Sequence, residues 1–139
     1  MTRTVGHFLE NYTTISNTIY SKVLQKESYS IYNTPVASGF IKTTAEKILI
    51  KMKSEFENTL DTTPRSITLQ GKDLGIVSSH VRPLFGIFKE AGITLSISSE
   101  TTLPWLHSPI SSKDLVERKI YDMTYAQPIL TISLMDQFT

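Results

Sequence analysis

The sequence predicts an α+β domain: N-terminal helices, two short helices joined by a turn, and a small antiparallel sheet with an inserted short helix. Three observations predict it. Apolar residues recur at helical spacing from Val5 to Val23 and again from Ala45 to Phe56. They switch to strict alternation at Ile93, Leu95 and Ile97, and again at Leu130, Ile132 and Leu134. Gly92 stands just before the first alternating run, where a helix has to stop. A chain of 139 residues holds one domain with a real core and is too short for two of ordinary size.

The first element, residues 4–26, is an amphipathic helix whose apolar face carries Val5, Phe8, Leu9, Tyr12, Ile15, Ile19 and Val23. Its many Thr, Asn and Ser residues lower its intrinsic propensity, so packing must hold it. Residues 27–41, marked by Pro35 and Gly39 and carrying Tyr29 and Tyr32, read as an arm or loop. The core proper occupies residues 42–139. Its first helix opens on a Thr43–Glu46 capping box, in which hydroxyl and carboxylate satisfy free backbone donors. Ala45, Ile48, Leu49, Met52 and Phe56 form its buried stripe.

Ser66–Gln70 suits a short strand or the lead into a helix. Leu74, Gly75 and Ile76 sit at a turn, and Val81, Phe85 and Phe88 mark the apolar face of the helix that follows. Gly92 caps that helix in the left-handed conformation, which a residue without Cβ adopts freely. Residues 100–109, which include Trp105, form a loop, and Ser112 caps a short helix carrying Leu115, Val116, Ile120 and Met123. Pro128 precedes the last strand.

Composition narrows the function. The chain is 40% hydrophobic and 19% charged, with a net charge of +1, so no global electrostatic footprint for nucleic acid exists. With no cysteine, disulfides, thiolate zinc sites and thiol catalysis are excluded. The first residues lack the apolar core of a signal peptide and no run reaches transmembrane length, so a cytoplasmic protein without a membrane partner is the expectation.

The order Leu74-Gly75-Ile76, a helix with a polar front and an apolar back, then Glu90-Ala91-Gly92-Ile93, resembles the helix-turn-helix of winged-helix DNA-binding domains. The resemblance covers residues 67–98. It implies DNA as partner and a regulatory role, with Gly71 letting two helices approach and the strand at 93–98 opening the wing. It also implies that Ser78, Ser79, His80, Arg82 and Gly86 face the groove, with Lys89 near phosphate. Pro83 then belongs in the first turn of the reading helix. The same residues also allow a β-α-β unit, with one core helix capped by Gly92 between strands at 66–70 and 93–98.

No other constellation carries chemistry. His7, His80 and His107 lack metal-ligand spacing, and no carboxylate pair, phosphate-binding loop or nucleophile motif is present. The chain is therefore expected to be no enzyme and to need no cofactor or metal. Lys113, Arg118 and Lys119 suit either a DNA backbone or a solvated face. Near-neutral charge implies modest affinity per monomer, which makes a homodimer through the first helix an expectation. The alternative function is a protein-protein module, an assembly component or an enzyme inhibitor, using Tyr29 to Tyr32 and Trp105.

Overall fold

The computed structural model describes residues 3–58, 66–102, 109–111, 113–114 and 126–135. Three helices lead. Helices α1 (Arg3–Glu10) and α2 (Tyr12–Leu24) follow the expected first stripe but kink at Asn11. There the His7 carbonyl accepts both the Asn11 backbone N–H at 3.0 Å and its Nδ2 at 2.9 Å, while Asn11 leaves the helical region at φ −107°, ψ 17°. Phe8 is fully buried and meets Phe56 edge-on with ring centroids 5.8 Å apart. The apolar stripe of the first helix thus packs inside the chain.

The expected arm is a hairpin. Strands β1 (Ser28–Ile31) and β2 (Thr34–Ala37) pair antiparallel with Ile31 opposite Thr34, leaving Tyr32 and Asn33 as a two-residue turn. Both hold positive φ, 51° and 61°. That is the mirror-image turn whose twist matches a hairpin, and it normally takes Asn-Gly. Asn33 tolerates the conformation, whereas Tyr32 costs on the order of 1 kcal/mol relative to glycine.

Helix α3 (Ser38–Asn58) starts earlier than the capping box predicts, because the Ser38 N–H donates to the Glu27 carbonyl and ties the helix to the hairpin base. Thr43 therefore lies inside the helix and its hydroxyl donates to the Gly39 carbonyl at 2.9 Å. Glu46 pairs with Lys42 at 3.4 Å. Ile41, Ala45, Ile48, Leu49, Met52 and Phe56 build the buried stripe at helical period.

The sheet has the order β3-β6-β4-β5, all pairs antiparallel, with β3 Ser66–Gln70, β4 Ile93–Thr102, β5 Ile110–Ser111 and β6 Gln127–Leu134. Strands β3 and β4 both run against the central β6 and so run parallel to each other. The chain between them, α4 (Gly71–Leu74), α5 (Ser78–Val81), a 3-10 turn (Arg82–Leu84) and α6 (Phe85–Glu90), is a crossover over β6. This arrangement joins both readings of residues 66–98. The helical run does break and turn at Gly75, φ 68°, yet it is flanked by two strands of one sheet, as in a β-α-β unit. The two alternating runs, β4 and β6, pair from Ile93 opposite Leu134.

Gly71 meets a strand, not a second helix. A Cβ there would lie 2.5–2.9 Å from the Cδ, O and N of Pro128, so α4 reaches β6 only through glycine. Pro128 itself lies within β6 and is buried. Gly92, φ 85°, caps the crossover as expected. Leu69, Ile93, Leu95, Leu130, Ile132 and Leu134 turn one sheet face into the core with Ile76, Val81, Leu84 and Phe88. The other face is open and hydroxylic: Ser66, Ser133 and Thr94 form one cross-strand row, and Thr68, Thr131 and Ser96 the next. Among the described residues no helix is long and apolar enough to cross a membrane. Trp105, His107, Arg118, Lys119 and the body of the helix expected after Ser112 lie outside the described residues.

Candidate nucleic-acid interface

The crossover positions the residues expected to read DNA. Pro83 lacks an N–H and sits in the 3-10 turn, where three residues per turn replace 3.6. The tighter turn brings Leu84 directly over Val81, so Leu84 takes the core place expected for Phe85. Phe85 and Leu74 are half-buried, while Ile76, Val81 and Phe88 are buried as expected. Arg82, Gly86 and Lys89 consequently lie on the outer surface, all exposed.

The other three expected readers are less available. Ser78, Ser79 and His80 are half-buried. The backbone N–H of Ser78 is committed to the Ala126 carbonyl at 2.8 Å, so this helix start offers one donor fewer to a phosphate. Burial pushes the His80 imidazole below its ordinary pKa. Near neutral pH it therefore stays uncharged and adds no cation to the surface.

Sequence reasoning did not anticipate the opposite wall. The β1–β2 hairpin folds against the crossover, and Lys26, Ser28, Ser30 and Tyr32 line a cleft of about 570 Å³ with Ser79 and Arg82. Tyr29 anchors that wall. It is buried, its hydroxyl donates to the Val23 carbonyl at 2.8 Å, and burial raises its pKa. Lys26 Nζ rests 5.3 Å from the Tyr29 ring centroid, a cation–π contact within the cleft lining. A second cleft of about 610 Å³ continues past Pro83 to Gly86 and Glu90. Glu90 is bound by Lys22, an ion pair that ties α6 to α2 and neutralises the one carboxylate lining either cleft among the described residues. Arg82 pairs with no carboxylate among the described residues.

The hairpin wall had a sequence signal. Tyr29 and Ile31 alternate with Ser28 and Ser30 before Tyr32-Asn33, a strand followed by a two-residue turn. Among the described residues no three His, Asp or Glu side chains group to hold a metal ion. The arrangement can bind an anion at Lys26 and Arg82, hydrogen-bond neutral polar groups at the serines and offer an aromatic face at Tyr32. No family model, no curated protein and no solved structure matches this chain.

Proposed function

We propose that this protein binds nucleic acid through the cleft between the β1–β2 hairpin and the Ser78–Lys89 crossover. DNA is the polymer expected from the sequence. The observation that carries the reading is convergence: Lys26 and Arg82, 56 positions apart in sequence, line one cleft with no carboxylate among its described lining residues, and Glu90 of the adjoining cleft is paired with Lys22. Phosphates are drawn by such an unneutralised pair of cations even when the whole chain is near neutral, because charge acts locally within about 10 Å at ordinary ionic strength. Lys89 extends the positive surface along α6.

Arg82→Ala tests the reading by fluorescence anisotropy of labelled oligonucleotides at two salt concentrations. The fold is expected to survive, as for any exposed substitution. If Arg82 clamps phosphate, affinity falls uniformly across sequences and the salt slope drops by about one. If it reads a base, the loss is about 1–3 kcal/mol and specificity relaxes at one position. A parent protein that binds no oligonucleotide at low salt ends the proposal.

A different observation favours a second reading, a protein-interaction module. The open sheet face carries two cross-strand rows of hydroxyls, and β3 has no charged residue and no outer strand neighbour among the described residues. An uncharged edge strand is a template for strand addition. Light scattering showing self-association that is abolished by Thr68→Lys would move this reading ahead.

A further inference from the structure

Tyr32 sits at odds with stability in two ways. It occupies a left-handed backbone conformation, φ 51°, that asparagine or glycine would adopt with less strain. Its ring is 70% exposed, so it returns little of that strain through burial. Every other aromatic side chain of the described hairpin is turned to the core: Tyr29 is 9% exposed and bound to α2. The turn therefore holds one ring out beside the cleft, where Lys26 and Arg82 supply positive charge and Ser30 and Ser79 supply hydroxyls.

We infer that the ligand of this cleft is an unpaired strand of nucleic acid, one base of which stacks on Tyr32 while the adjoining phosphates meet Lys26 and Arg82. The inference rests on the nucleic-acid reading and names its substrate class. A base inside a duplex has both faces covered by its neighbours and cannot offer one to a tyrosine. An unpaired base can, and stacking on an aromatic ring is tolerant of sequence because every base has a π face. A cleft of about 570 Å³ lies within the size range of about 300–1,000 Å³ typical of small-ligand sites. It accommodates a nucleotide unit, whereas a duplex would touch it only through its backbone. Phosphodiester plus base is the shared chemistry of DNA and RNA, and the ring makes no distinction between them.

The test uses labelled mixed-sequence single strands of DNA and of RNA, and a DNA duplex of the same sequence, against the full chain and against Tyr32→Asn. Single strands are expected to bind the parent more tightly than the duplex. Tyr32→Asn is expected to weaken single-strand binding about five- to 150-fold, the range for loss of one stacked base. The same variant leaves duplex binding within about twofold, and its melting temperature equals or exceeds that of the parent because asparagine relieves the turn. Preference for DNA or for RNA supports the inference and names the polymer. Equal binding of duplex and single strand, both indifferent to Tyr32→Asn, overturns this inference and leaves the nucleic-acid reading standing. Binding of a free mononucleotide as tightly as of a strand overturns it in favour of a nucleotide site. Absence of binding by every oligonucleotide removes the reading beneath it.

Discussion

Among the described residues four hold positive φ, in two regions of opposite chemistry. Gly75 and Gly92 turn the chain within and after the crossover, φ 68° and 85°, and both are glycine. Tyr32 and Asn33 turn it at the hairpin tip, and neither is. The crossover takes the residue that relaxes the backbone, and its turns serve packing: Lys47 donates to the Gly75 carbonyl at 3.4 Å, and the Gly92 carbonyl accepts the N–H of Met135 at 2.9 Å. The hairpin keeps a strained residue whose ring stays in water. A turn that takes glycine and a turn that does not, in one small domain, separate a region shaped by packing from one that keeps a strained and exposed tyrosine.

The largest effect that sharpens this contrast is expected at Gly71, a glycine needed for space and not for φ. Gly71→Ala drives a methyl into the backbone and ring of Pro128, which cannot rotate away. A loss of at least about 2–3 kcal/mol is expected in denaturant unfolding, the upper range for overpacking. An unchanged midpoint would mean that α4 does not press on β6 as described. Gly92→Val comes next, at about 1–3 kcal/mol, because a β-branched residue resists positive φ. A melt identical to the parent would show that this backbone can take left-handed geometry without glycine, and Tyr32 would then cease to be an anomaly. The smallest effect has the opposite sign. Gly86 is helical and exposed, and a Cβ there meets nothing within 4 Å. Gly86→Ala is expected to stabilise by about 0.5–1 kcal/mol, the ordinary helix preference for alanine. If Gly86→Ala also weakens oligonucleotide binding, the surface along α6 approaches its ligand closely enough to require a bare backbone.

Much of the fold was legible because its signals are local. The stripe from Ala45 to Phe56, the stop at Gly92 and the alternations at 93–97 and 130–134 depend only on neighbours in sequence, and each element stands where expected. The differences arose where a distant group intervened, and at one local turn. The start of α3 moved to Ser38 because the Glu27 carbonyl holds its N–H, and the capping box at Thr43 was thereby made redundant. Leu84 displaced Phe85 from the core because Pro83 tightened one turn. Placement of β6 between β3 and β4 is a non-local choice that no periodicity encodes. The site divided in the same way. Ser79 and Arg82 could be picked out from their own helix, whereas Lys26, Ser28, Ser30 and Tyr32 join them only after the hairpin has folded back.

The central position of β6 also sets the order of assembly. Strands β3 and β4 make no ladder with each other, and both wait for Gln127–Leu134, the latest described strand in chain order. During synthesis the leading helices can pack as they emerge, but the sheet cannot close until that strand arrives. Until then the apolar faces of Leu69, Ile93 and Leu95 lack their middle partner. Such long-range closure is slow compared with helix formation and leaves bare strand edges in the interval. The nascent chain therefore passes through a stage in which the facing edges of β3 and β4 stay unpaired until residues 127–134 arrive.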